Sequence, residues 1–141
     1  MSATGAGVIA PAPAWRRTVG VVSALTGAAA AVGSVQLVTG TFTPPVSDLR
    51  PLGLESWVLP GLWLAASVAV PCLGTAVLAW RRSTRMGPAA VGAGVLLIVE
   101  LAVQMPFVGL DPLQGVMGTV AVSLVGLGWS SARRSGTKDQ P

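Results

Sequence analysis

The sequence contains no histidine, no tyrosine, a single cysteine and a single lysine. Each absence removes a class of chemistry. Without histidine there is no imidazole to serve as a general base near neutral pH or to ligate a metal. With Cys72 alone, neither an intramolecular disulfide nor a paired-thiol motif can form. A small buried thiol is the expected role, since Cys72 lies deep in an apolar stretch. Charge is also scarce. Charged residues make up 10% of the chain, against about 25% in ordinary globular proteins. Asp48, Glu55 and Asp111 stand at separate loop positions without the spacing of a cation site. No glycine-rich phosphate loop follows a strand pattern. No catalytic residues, no metal site and no cofactor are therefore expected, and the chain is not read as an enzyme.

Apolar sequence fills the space that charge leaves. Hydrophobic residues make up 52% of the 141 residues, and the mean hydropathy is +0.70. Four long apolar stretches fall at about residues 18–38, 57–80, 88–110 and 112–131. A bilayer span needs roughly 20 such residues. The fold class expected is all-α, a bundle of four transmembrane helices. A tail at 1–14 precedes the membrane domain at 15–131, and a polar tail follows at 132–141. The first tail is small, broken by Pro and Gly and without periodicity, which predicts disorder. Many of the 18 glycines and 11 prolines lie inside the apolar stretches, as they do in membrane helices. Pro71, near the middle of the second stretch, is expected to kink its helix.

The basic residues mark the boundaries. Arg16, Arg17, Arg81, Arg82, Arg85, Arg133, Arg134 and Lys138 fall on one side of a four-span arrangement, and Arg50 alone on the other. A net charge of +4 and a pI near 11.2 do not mean nucleic acid here, because the charges sit in short clusters at span ends. The positive-inside rule places both termini in the cytoplasm of a multi-pass plasma-membrane protein. Trp15, Trp80 and Trp129 mark the inner boundary and Trp57 the outer one. Ala-Trp-Arg-Arg occurs at 14–17 and again at 79–82, as boundary chemistry at two span ends. The first span has a rival reading as a signal peptide. Its apolar run exceeds the usual h-region of roughly 7–15 residues, so it is read as a retained span.

Stripes of small residues run along the spans and suit close helix approach. In span one the stripe is read as Gly20, Ala24, Ala28 and Ala31. In span two it is Gly61, Ala65, Ala69, Cys72 and Ala76, and in span three Ala89 with Ala93 and Ala90 with Gly94.

One residue breaks the apolar pattern. Glu100 lies inside span three, with Gln104 one turn later. An acid at membrane depth is costly and marks a candidate site. No cation lies within any span to offset it, so it is expected as a hydrogen-bond donor that shares its bond with Gln104. With Gln36 and Gln114 placed toward the outer ends of spans one and four, the four residues form a candidate polar cluster for a proton or a polar substrate. The blander expectation is a hydrogen-bonded joint between helices.

Pro60-Gly61-Leu62, Gln104, and Leu113-Gln114 with Gly118 carry a resemblance over about residues 52–128 to a broad group of small four-span bacterial membrane proteins, distantly DoxX-like. Glu55-Ser56-Trp57 stands where similar sequences often carry Ser-Pro-Phe. The resemblance implies a four-span fold and no particular activity. The function expected is a non-enzymatic accessory or scaffold subunit, whose partners are the lipid bilayer and a membrane protein or further copies of the chain, with no nucleic acid. The alternative is a small proton-linked transporter, or a subunit of one, using Glu100.

Overall fold

Hydrocarbon offers no partner to a backbone N–H or C=O, so a chain this apolar satisfies its backbone within helices. The computed structural model describes residues 12–108 and 111–136, and these are helical wherever they are regular. The elements are α1 (Ala14–Thr39), a 3-10 helix (Val46–Leu52), α2 (Val58–Leu64), a π-helical turn (Ala65–Ala69), α3 (Val70–Trp80), α4 (Met86–Val108) and α5 (Pro112–Gly136). The segments α2, π-turn and α3 follow without a break as one span, Val58–Trp80. Among the described residues there are thus four helices long and apolar enough to cross a membrane. The first and last run past their expected ends. Helix α1 begins at Ala14, within the region read as tail, and α5 continues to Gly136. Most of the N-terminal tail, the end of span three at 109–110 and the tail from 137, with Lys138, lie outside the described residues.

Local chemistry explains where the helices stop. Gly40 closes α1 with φ 71, a left-handed geometry that glycine adopts without strain, and its N–H meets the Gln36 carbonyl. The loop that follows is less open than its prolines suggest. Its 3-10 helix buries Leu49, and the Trp57 indole N–H donates to the Pro44 carbonyl at 2.9 Å.

Pro71 disrupts span two by widening it. Proline has no N–H, so the carbonyl four residues earlier, that of Ser67, loses its usual partner. The turn centred on Ser67 is π-helical, with the Val70 N–H reaching back five residues to the Ala65 carbonyl. A π-turn is one of the recognised ways in which a helix absorbs such a defect.

Neighbouring helices run antiparallel, as the glycine contacts show. A Cβ at Gly20 would meet Ala79, one at Gly27 would meet Leu73, and one at Gly61 would meet Leu37, so α1 descends as α2 and α3 rise. Gly87 faces Gly128, and Gly94 faces Ala121, so α4 and α5 form a second hairpin. Helix α3 and the π-turn pack on α4 and join the two hairpins, while α5 returns to touch α1 only sparingly. Both described chain ends, and the turn between α3 and α4, therefore lie at one end of the bundle, the terminal end. Ala30, Val68, Cys72, Ala93, Leu97 and Ala121 make the central core. Val19, Ala79, Met86, Ala90 and Leu124 make a second core toward the terminal end.

The expected stripes on spans two and three line these contacts, but the stripe on α1 is rotated. Gly20, Ser23, Gly27, Ala30 and Ser34 are buried, whereas Ala28 is exposed and Ala24 and Ala31 are only half-buried. Serine is small enough to pack like alanine, and its hydroxyl can be satisfied on its own helix. Ser34 does this, donating to the Ala30 carbonyl at 2.7 Å. The two Ala-Trp-Arg-Arg segments also meet. Arg16 donates from Nε to the Ala79 carbonyl at 3.0 Å and from Nη2 to the Ser83 carbonyl at 2.7 Å. It thereby adds a charged donor to carbonyls at the end of α3 and in the turn after it, which also accept backbone N–H groups of that turn.

The glycine contacts give a direct test of the hairpin. At Gly94 a Cβ would lie 2.8 Å from the Ala121 carbonyl oxygen, whereas nothing lies within 4 Å of one at Gly92. Gly94→Val should destabilise the bundle by about 1–3 kcal/mol, the usual range for overpacking. Gly92→Val should change it far less. Thermal unfolding of the two variants in detergent, followed by far-UV circular dichroism, distinguishes them.

Candidate functional site

The inward stripe of α4 runs through Gly87, Ala90, Ala93, Gly94 and Leu97, all buried, and its next position is Glu100. The same helical spacing that packs α4 into the bundle thus carries a carboxyl group into it. Glu100 is 7% exposed. Opposite stand the last turn of α2 and the π-turn. They present Trp63 and Ser67, four residues apart and therefore on one face.

Three side chains converge on the carboxyl group. The Trp63 indole N–H donates to Oε2 at 2.6 Å. Gln104 donates from its amide nitrogen to Oε1 at 3.0 Å. The Ser67 hydroxyl lies 3.2 Å from Oε2 and 2.8 Å from the Trp63 carbonyl oxygen. It has one proton and can serve only one of these acceptors at a time. Indole nitrogen can only donate. Both Glu100 oxygens therefore accept a hydrogen bond, and when the Ser67 proton is on the Trp63 carbonyl the Ser67 oxygen is an acceptor within reach of a protonated carboxyl group.

The four residues expected to form a polar cluster divide into a pair and two separate glutamines. Gln104 bonds Glu100 directly. Gln36 is exposed near the end of α1. Gln114 is half-buried, and its amide oxygen and nitrogen are both shielded with no hydrogen-bond partner among the described residues. No hydrogen bond connects Gln36 or Gln114 to the Glu100 group among the described residues.

The sequence reading had not singled out Trp63 or Ser67. A signal was present. The other four tryptophans flank arginines or a loop, whereas Trp63 stands inside a span, with Ser67 one turn on and Pro71 one turn beyond that. A donor-only side chain within hydrocarbon needs an acceptor, and Glu100 is the acid available at that depth.

Chemically, the group is a clamp. Glu100 accepts from Trp63 of span two and Gln104 of its own helix, with the Ser67 hydroxyl also within hydrogen-bond distance, which ties α4 to α2 and the π-turn. Among the described residues no cluster of three or more acids, cysteines or histidines is arranged to hold a metal. No protein family, curated protein or solved structure matches this chain.

If the clamp holds the spans together, removing one donor should weaken it measurably. Trp63→Phe keeps the ring in place and deletes the N–H. The expected loss is about 0.6–2 kcal/mol, the range for side-chain hydrogen bonds between membrane helices. In a double-mutant cycle with Glu100→Leu, the two losses should be less than additive. Strict additivity would show that the indole and the carboxyl group are not coupled.

Proposed function

We propose that this protein is an integral plasma-membrane protein acting as a non-enzymatic accessory or scaffold subunit. The observation that supports this reading is how Glu100 is occupied. The acid within the spans is bonded to Trp63, Ser67 and Gln104, and so is used to join helices. The partners in this reading are the lipid bilayer and a membrane protein or further copies of this chain. The resemblance to DoxX-like four-span proteins accords with it and adds no activity.

Orientation belongs to the same proposal. Arg16, Arg17, Arg81, Arg82, Arg85, Arg133 and Arg134 flank the helix ends at the terminal end of the bundle. The positive-inside rule puts that end in the cytoplasm. Arg85 is exposed in the turn before α4 and Cys72 is fully buried. A Cys introduced by Arg85→Cys should resist a membrane-impermeant maleimide in intact cells and react after permeabilisation. Labelling in intact cells would reverse the orientation.

One observation favours a second reading, a small proton-linked transporter or transporter subunit using Glu100. The Ser67 proton has two acceptors within reach, in a turn whose helical bonding is already altered. Such an arrangement can exchange partners as the state of the carboxyl group changes. Wild-type and Glu100→Gln protein reconstituted in liposomes separate the two readings. The accessory reading expects no proton flux above empty liposomes for either protein. Flux by the wild type that the Gln variant abolishes would establish the transporter instead.

A further inference from the structure

We propose that the seam between α1 and α5 is a binding site for one anionic phospholipid, with the headgroup at the arginine-bearing end and an acyl chain in the seam. The inference stands whether or not Glu100 has a functional role, and it requires only that the bundle sits in a membrane.

The seam exists because the ring of helices closes poorly there. Glycines draw α1 against span two and α4 against α5, and α3 and the π-turn pack on α4, whereas α1 and α5 touch sparingly. Between them lies an open cleft of about 200 Å³. Its walls are Val19 and Val22 from α1 and Val120, Leu124 and Leu127 from α5, a surface suited to methylene groups. Thr119 and Ser123 also line it, and neither offers a free polar group. Their hydroxyls donate to the Gly115 and Thr119 carbonyls of their own helix, at 2.9 and 2.7 Å.

Next to the seam, toward the terminal end, lies a second cavity of about 110 Å³, and Leu127 lines both. The chemistry changes at this point. The second cavity is lined by Trp15, Ser130, Ser131 and Arg134. The Ser130 and Ser131 hydroxyls donate to the Gly126 and Gly128 carbonyls at 2.7 and 2.8 Å, so Arg134 is the headgroup cation. An arginine beside an indole, next to an apolar cleft, matches the order of groups along a phospholipid: phosphate, interface, then chain. The surrounding charge has the right sign. Arg17, Arg81, Arg82 and Arg133 flank the same end, and the described acids Asp48, Glu55 and Asp111 lie at the opposite one. Basic pockets between helices at the cytoplasmic boundary are a recognised way of holding anionic headgroups. The shared Leu127 wall of the two cavities and the positive charge at this end favour an anionic lipid over a second protein chain, which would bring its own cluster of arginines to the same level.

Native mass spectrometry of the intact protein in detergent, titrated with phosphatidylglycerol or phosphatidylcholine, tests the proposal. One phosphatidylglycerol should be retained in preference to phosphatidylcholine. Arg134→Ala should weaken that retention about fivefold, the loss expected for one cation at the headgroup. Arg85→Ala, which removes a cation of the same end that does not line the cavity, should weaken it much less. Ser123→Phe should fill the seam and reduce retention while the protein keeps its helicity. Glycerol phosphate, the headgroup without chains, should not displace the lipid. Equal losses from Arg134→Ala and Arg85→Ala would overturn the site in favour of diffuse attraction. Displacement by glycerol phosphate would reduce it to an anion site. A dimer that Ser123→Phe dissociates, with lipid retention unchanged, would assign the seam to a second copy of the chain.

Discussion

In hydrocarbon each polar group must find its partner inside the protein, and that constraint shapes the molecule at every scale. It makes the described backbone helical. It turns serine and threonine inward upon their own helices, as at Ser34, Thr75, Thr119 and Ser130. It leads Arg16 to the carbonyls at the end of α3, and it surrounds Glu100 with donors. Among the described residues, the Ser23 hydroxyl and the Gln114 amide depart from the rule and are shielded without a hydrogen bond. Nothing in the packing explains Ser23.

With polarity settled inside each helix, association is left to packing. Lipid tails are as apolar as leucine, so helices gain by approaching closely, not by hiding from the bilayer. Hence the large side chains of α1, such as Leu25 and Val35, face outward, and glycine, alanine and serine face inward. Glycines that bring backbones together set the α1–α3 and α4–α5 contacts. The seam between α1 and α5 has no such pair and stays open. The fold is thus two tight hairpins joined through α3, the π-turn and α4, a C-shaped arrangement in contact order rather than a fully closed ring.

These two levels also explain what could be read from the sequence. The four spans were legible because length and hydropathy alone decide them. The packing face of span two was legible because its small residues are alanine, glycine and cysteine. The face of α1 was misplaced by the neglect of Ser23 and Ser34, which look polar in isolation and pack as small residues once in a helix. Within the candidate site, Gln104 could be paired with Glu100 because both lie on one helix at one-turn spacing. The partnership of Glu100 with Trp63 crosses between helices. Periodicity within one segment carries no information about it, and only the donor-only character of an indole inside a span hinted at it. The expectation for Gln36 and Gln114 rested on depth alone, and depth does not bring side chains on different helices together.

The position of Glu100 next to the π-turn follows from Pro71 as much as from the acid. The widened turn begins two residues after Trp63 and contains Ser67, so the two donors from span two flank the place where the helical register changes. What the hydrogen bonds require at position 100 is narrower than what is there. An amide could accept from Trp63 through its oxygen and donate to the Gln104 amide turned about its last bond. The clamp therefore needs a polar group of this shape, but it does not need an acid. A carboxyl group carries an added cost at membrane depth that an amide avoids. This difference between the hydrogen bonds that are made and the acid that makes them separates the two readings of the protein. A scaffold should work as well with an amide at this position, whereas a proton carrier should not.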